Sequence, residues 1–245
     1  MKTLHIYIFI INLFLGGIFI GFSQEENSME QKPDSIFYQE RYGIRIGTDL
    51  SKPIRSLLDN KYNSGFEIKG DFRLTKRLFP AIEIGYEDFD YDENNFNANS
   101  AGGFTKLGVN YNAYENWLGM QNEIYVGLRY GFSTFSQTIF DYTIYDLDHY
   151  FPPDHHQINQ KFKNLNAHWV ELQVGLKAEV LQNLYLGFHV EVKRIITEKE
   201  PNNFENLWIP GYNRKYADSP FGVGWGYSIS YLIPILKKDK IERLK

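Results

Sequence analysis

Cysteine is absent from the 245 residues. That excludes a disulfide framework, a thiol nucleophile, a Cys zinc site and a lipidated cysteine behind an export signal. A large basic field is missing too: 26 Lys and Arg stand against 30 Asp and Glu, a net charge of -4, so nothing draws nucleic acid. High hydropathy is also lacking. The mean hydropathy of -0.41 is that of a water-soluble chain. It does not exclude a membrane barrel, because only every second residue of a barrel strand needs to be apolar. What the chain does have is aromatic side chains, 18 Tyr and 19 Phe. Tyr and Trp concentrate where one end of a side chain meets lipid and the other meets water.

The N-terminus reads as an export signal. Met1 and Lys2 precede the apolar stretch Ile6-Tyr7-Ile8-Phe9-Ile10-Ile11 through Ile18-Phe19-Ile20, and Gly21 and Ser23 form a small-x-small exit before Gln24-Glu25-Glu26. Cleavage is expected after Ser23, the alternative being an uncleaved anchor. Residues 24–40 are polar and aperiodic and are read as a flexible periplasmic lead-in. The domain proper is expected over 41–234, with 235–245 as a basic periplasmic tail carrying Lys237, Lys238, Lys240 and Arg243.

From Gly43 onward the dominant signal has period two. In Ser64–Leu74, Phe66, Ile68, Phe72 and Leu74 oppose Glu67, Lys69, Asp71 and Arg73. In Ala167–Val180, Val170, Leu172, Val174 and Leu176 oppose Glu171, Gln173, Gly175 and Lys177. Similar segments fall near 43–51, 78–91, 103–112, 120–138, 184–196 and 221–233. Alternation gives a strand one apolar and one polar face. A water-soluble sandwich would turn the polar face outward; a membrane barrel turns it towards a packed lumen. Two features favour the barrel. The segments run about 9–13 residues, the length of a tilted membrane strand rather than the usual soluble one. The polar face also carries Gly47, Gly85, Gly108, Gly127, Gly175, Gly187, Gly222 and Gly224, as a narrow interior crowded with long charged side chains requires.

The fold expected is therefore all-β: a closed antiparallel transmembrane barrel of about eight strands, with long external loops and short periplasmic turns. The external connections are placed at 52–63, 92–102, 139–166 and 197–219. The short ones fall at Thr75-Lys76-Arg77, Ala113–Gly119 and Leu181-Gln182-Asn183. Aromatic girdles are assigned to Tyr111, Tyr114 and Trp117 at the inner rim and to Tyr86, Phe89 and Tyr91 at the outer rim. Closure is compulsory, because an open edge in hydrocarbon leaves backbone groups unpaired. Eight strands enclose a space that side chains can fill, so no wide pore is expected. The inward face holds the cations Arg45, Lys69, Arg73, Lys106, Arg129, Lys177 and Lys193. Against them stand the anions Asp49, Glu67, Asp71, Glu83, Glu87, Glu123, Glu171, Glu179 and Glu191, with His189 among them. Near balance is what a paired interior demands, since an unpaired buried charge costs several kcal/mol.

These segments resemble small outer-membrane barrels of Bacteroidota, including an uncharacterised domain-of-unknown-function family of that phylum. The resemblance rests on Arg41-Tyr42-Gly43-Ile44-Arg45-Ile46-Gly47, Phe79-Pro80-Ala81-Ile82-Glu83-Ile84-Gly85-Tyr86 and Val126-Gly127-Leu128-Arg129-Tyr130-Gly131-Phe132, and on the stretch from Trp225 to Pro234. It implies a bacterial outer-membrane address after export through the inner membrane. Many such barrels end on an aromatic residue that assembly factors read, whereas here Pro234 is followed by Ile235 to Lys245.

Several clusters invite a chemical reading. Asp146, Asp148, His149, Asp154, His155 and His156 have metal-ligand chemistry. They fall in the longest expected loop, interrupted by Pro152-Pro153, and adjacent histidines do not readily share an ion; a solvated or partner-contacting loop is the preferred reading. His189 beside Glu191 has the makings of an acid–base pair, but membership of the lumen network is preferred. His168 with Ser133, Ser136 and Ser219 at outer strand ends is the one set that suits a lipid-acyl enzyme. Gly222-Val223-Gly224-Trp225-Gly226 lacks the spacing and following helix of a phosphate loop and is read as strand. The external segments carry Tyr142, Tyr145, His149, Tyr150, His155, His156, Phe204, Trp208 and Tyr212 as candidate partner contacts, with packing over the barrel mouth as the equal alternative. No cofactor or metal is expected. The function expected is non-enzymatic: a structural or docking subunit, in contact with outer-membrane lipid and with other envelope proteins through its external loops. Barrel assembly or surface-protein export are the candidate complexes. A lipid-modifying enzyme and a narrow channel or receptor are the alternatives.

Overall fold

A computed structural model gives the fold of residues 35–58, 62–93, 95–116, 121–144, 154–216 and 219–243. The expected signal segment 1–23, residues 24–34 and Trp117 lie outside this set, as do Tyr145, His149 and Tyr150. Residues 37–240 form the barrel unit. Its strands are β1 (Ser35–Asp49), β2 (Tyr62–Phe72), β3 (Leu78–Glu93), β4 (Phe96–Asn112), β5 (Glu123–Ile144), β6 (Asp154–Leu181), β7 (Leu184–Glu198) and β10 (Phe221–Arg243). A short helix α1 (Ser51–Leu58) follows β1, and the two-residue strands β8 (Trp208–Ile209) and β9 (Asn213–Arg214) form a small hairpin before β10.

The eight long strands make an antiparallel ring in the order β1-β10-β7-β6-β5-β4-β3-β2. Six of its neighbouring pairs are hairpins of consecutive strands, β10 lies beside β7, and the first and last strands meet at the seam. There Leu50 N donates to Tyr227 O at 2.7 Å and Gln39 Nε2 to Asp239 Oδ1 at 2.9 Å. Alternation fixes which way each side chain points. On β5, Glu123, Tyr125, Gly127, Arg129, Gly131 and Ser133 are buried, while Ile124, Val126, Leu128, Tyr130 and Phe132 are exposed. The exposed set around the ring includes Ile46, Phe66, Ile68, Ile84, Leu107, Leu172, Val174, Val190, Val192 and Val223. The polar-in, apolar-out arrangement is that of a barrel bathed in lipid.

Several boundaries differ from the sequence reading. β1 begins at Ser35, inside the expected lead-in, and β10 runs through the expected tail to Arg243. The terminal strands pair with each other, and backbone pairing needs no apolar alternation. The connection expected at 92–102 is a tight hairpin, with Glu93 opposite Phe96. The loop expected at 139–166 is largely a β-ribbon: β5 and β6 stay paired out to Ile144 opposite Asp154, with irregularities at Phe135/Gln137 and Ile139/Asp141. Above the membrane both faces of a ribbon meet water, so the period-two signal disappears while the ladder continues. Phe89 and Tyr91 do not join an outer girdle. They continue the inward parity of Glu83, Gly85 and Glu87; Phe89 stacks on Trp208 at 3.9 Å, and Tyr91 OH accepts from Arg214 at 2.9 Å. Tyr86, Tyr111 and Tyr114 are exposed on the outer surface.

Candidate functional site

The interior is built as tiers of ion pairs. At the inner end Arg41 grips both oxygens of Glu179 at 2.7–2.8 Å and donates to Asn183 Oδ1 at 2.6 Å. Arg73 lies 3.6 Å from Glu40 and over the ring of Tyr42. Above them Arg45 bridges Asp71 at 2.7 Å and Glu123 at 2.5 Å, and Lys177 meets Asp71 at 2.5 Å. The Arg45 guanidinium also stacks over Tyr185 and Phe79. A third tier pairs Lys69 with Glu67 at 3.1 Å and Asp49 at 3.3 Å, and Arg129 with Glu83 at 3.0 Å. In the fourth, Lys106 sits among Glu171 (3.2 Å), Glu83 (3.4 Å) and Glu191 (3.6 Å), and Lys193 meets Glu191 at 2.6 Å.

Each sequence-assigned lumen residue, Arg45 through Lys193, is buried or half-buried on the inner face. The structure adds Arg41, Glu40 and Lys52. Lys52 reaches inward from α1 to Glu67 at 3.3 Å and to Glu87. Strand parity cannot find it, because it lies on no strand. Large inward side chains sit directly across from glycines: Trp169 opposite Gly131, Phe104 opposite Gly85, Tyr125 opposite Gly175. A Cβ at any of these glycines would strike the facing ring. A cavity of about 20 Å³ remains among Lys69, Glu83, Tyr125, Arg129 and His189. That is room for about one water molecule.

The outer mouth is closed by the connection between β7 and β10. Its β8–β9 hairpin folds inward, so Ile209 and Tyr212 are buried against Phe104, Phe135, Leu165, Ala167 and Trp169, and Trp208 is buried on Phe89. The plug is tied to the ion network below. Glu87 accepts from Trp208 Nε1 at 3.1 Å and from Gly211 N at 3.2 Å, and Lys193 donates to Gly211 O at 2.8 Å. It is also tied to the wall: Gln137 donates to Glu205 O at 2.9 Å and accepts from Leu207 N at 3.0 Å, and Ser100 donates to Trp208 O at 2.7 Å. Burial, with Glu198 nearby, pushes the Tyr212 phenol up to about 12. Burial alone would pull the Lys215 ammonium down. The carboxylates of Glu200 at 2.5 Å and Glu198 at 3.0 Å outweigh it and hold the group above its ordinary range.

The residues assigned to partner contact are largely engaged within the chain. Trp208 and Tyr212 belong to the plug, which removes them from any external surface. Phe204 packs against Phe96, Tyr142 and Phe162 at 6.0–6.3 Å. His156 stacks on Tyr142 and lies 2.9 Å from Asp154, and His155 shares a hydrogen bond with Thr143 Oγ1 at 3.0 Å. Among the described residues no three His, Asp or Glu side chains converge on a metal position. His189 is enclosed, 3.2 Å from Lys69 and 3.8 Å from Glu191. His168 faces outward beside Phe132 and 2.8 Å from Tyr130 OH. Ser133, on the opposite face of β5, donates to Gly103 O at 3.1 Å, so strand parity keeps this serine and histidine apart.

An eight-stranded antiparallel ring with a lipid-suited exterior and a charge-filled interior has the outer-membrane β-barrel fold. The chain belongs to a family described as "Domain of unknown function (DUF6048)", whose model matches residues 5–238. Among solved structures it is similar to Ail, the attachment invasion locus protein of Yersinia pestis, at 10% identity and a TM-score of 0.37, covering 81% of this chain and 97% of that one. It is similar to Neisserial surface protein A at 11% identity and a TM-score of 0.34, covering 81% and 99%. The N-terminal β-barrel domain of Pseudomonas aeruginosa OprF matches at 12% identity and a TM-score of 0.28, covering 82% and 100%. No curated protein matches the sequence.

Proposed function

We propose that this protein is a sealed, non-enzymatic barrel of the bacterial outer membrane that serves as a structural or docking subunit of a larger envelope complex. One observation carries the reading: the lumen is occupied along its length by paired charges and capped by an inward-folded hairpin. A passage for solutes needs a polar path free of side chains, and this interior is spent on holding itself together. Work is then left to the outer surface, in contact with outer-membrane lipid and with neighbouring envelope proteins. The partner class is the machinery that assembles barrels or exports surface proteins.

Planar-bilayer recording of the purified barrel, with affinity purification from native membranes, tests the reading. No unitary conductance steps are expected, and deleting residues 202–214 leaves the bilayer silent because the tiers beneath the plug remain. Envelope proteins recovered in stoichiometric amount support docking. Regular conductance steps, or altered acyl chains in the outer-membrane lipids of a deletion strain, would sink it.

A further inference from the structure

The register of the ring leaves one strand missing from the outer half of its wall. β1 stops at Asp49, with Leu50 N bonded to Tyr227 O. β10 continues six residues further out, from Gly226 to Phe221, still paired with β7 up to Arg194. On the other flank β1 pairs with β2 only as far as Thr48 opposite Ile68, while β2 runs on to Tyr62. Among the described residues β10 and β2 have no strand between them over these stretches. The vacancy is two inter-strand spacings wide, about 10 Å, which is close to the diameter of one helix. It is there that the chain places α1.

The helix imitates a wall strand in its polarity. Lys52 points inward to Glu67 and Glu87, and Arg55 lies over the outward Trp225 ring at 4.9 Å. Ile54, Leu57 and Leu58 are exposed, the last two at 84% and 79%. A helix satisfies its own backbone, however, and offers no ladder to its neighbours. Which groups are left facing it follows from the pairing. Ile195 N bonds Pro220 O and Leu232 N bonds Asn183 O, so even-numbered residues of β10 point to β7. Odd-numbered ones, Tyr227 included, point to the seam. The Val223 and Trp225 amides therefore face α1, and by the same alternation from Arg73 N to Gly43 O, so does Gly65 on β2.

We infer that this gap is a docking site for an extended segment of a partner protein, which displaces α1 and completes the ring as a strand. The inference rests on the docking reading above and names its place. The partner's chemistry is set by the flanks. Outward neighbours Phe66, Val223 and Trp225 call for apolar side chains, while on the inward face Tyr212 and Glu191 already fill the space over Gly222 and Gly224 and call for small ones there. One inward residue must be a cation, because removing Lys52 strips Glu67 and Glu87 of its ammonium. Another bare edge at the outer end of the ring, β6 beyond Ala167, is built differently. It carries Lys161 and Lys163, and Asn159 and Asn164 at positive φ. Charges and local twists of that kind discourage strand addition; beside α1, Phe221–Gly226 of β10 carries neither, and the one irregularity is at the outer end of β2, at Tyr62/Ser64.

Residue-resolved amide exchange of the full chain in detergent micelles tests this. The probe is an extended peptide of about eight residues, apolar on one face with a central lysine on the other. In the free protein, Val223 and Trp225 amides should exchange on the order of tenfold or more faster than Gly222 and Gly224. The lysine peptide should slow them, more readily in Arg55→Ala, and a peptide with glutamate in place of lysine should not. Val223 and Trp225 already slow in the free protein, or no response to the lysine peptide, overturns the site. Equal protection by both peptides overturns the charge rule. A stable partner recovered from native membranes with no peptide response would remove this site and leave docking standing.

Discussion

Replacing Lys106 by methionine keeps most of the side-chain volume and deletes one ammonium from the fourth tier. Its three carboxylate partners lie at 3.2, 3.4 and 3.6 Å. At an effective dielectric near 20, each contact corresponds to roughly 5 kcal/mol of attraction. Burying the ammonium costs several kcal/mol in return. The loss is further limited because Lys193 remains 2.6 Å from Glu191 and Arg129 remains 3.0 Å from Glu83. Glu171 is left worst placed, with Lys193 at 3.9 Å. Breaking such a buried set costs about 3–5 kcal/mol, and that is the destabilisation expected. Urea titration in liposomes, followed by tryptophan fluorescence and by the heat-dependent gel mobility of folded barrels, reads it. Adding Glu171→Gln should return about 1–3 kcal/mol, since it removes the stranded charge. Lys161→Met, exposed on the β6 ribbon, should change stability by under about 0.5 kcal/mol. If Lys106→Met costs less than about 1 kcal/mol and the double variant is additive, the tiers are not what holds the interior.

Other tests address separate parts of the molecule. Gly131→Val forces a branched side chain into the Trp169 indole and should cost about 1–3 kcal/mol, measured by the same titration; Trp169→Ala in the same chain should relieve the clash. The Lys215 clamp on the plug has a raised pKa, so its contribution is complete below the unfolded value of about 10.4 and is lost as pH climbs past the folded one. Proteolysis of the 199–216 segment should therefore be flat between about pH 6 and 9 and accelerate only above about pH 10.5. Acceleration on acidification instead would point to the carboxylates and away from the lysine.

The strands were legible because two environments enforce a period of two across the membrane. Glu83, Glu171 and Lys106 can be assigned inward from alternation alone. Where lipid ends, so does the signal, and the paired β5–β6 ribbon looks like loop in sequence. The plug was hidden for a related reason: Trp208 and Tyr212 sit in an aperiodic connection, where nothing local shows whether an aromatic turns in or out. Lys52 was invisible because it lies on a helix within a segment read as an external connection, where strand parity assigns no direction. Phe89 was readable and misassigned, since its spacing from Glu83 already turned it inward. The gap beside α1 lay beyond reach, because alternation gives the face of a strand but not its register against a neighbour.

The seam between β1 and β10 also bears on how the protein must be made. Six of the ring's neighbouring pairs come from consecutive strands that can form as soon as each pair of segments has been synthesised. Leu50 and Tyr227 are separated by about 180 positions, so their union waits for almost the whole polypeptide. Until then the cylinder has two raw margins and a half-assembled set of charges. A chain lacking its last strand would be an open sheet with two margins of unpaired backbone, which hydrocarbon does not tolerate.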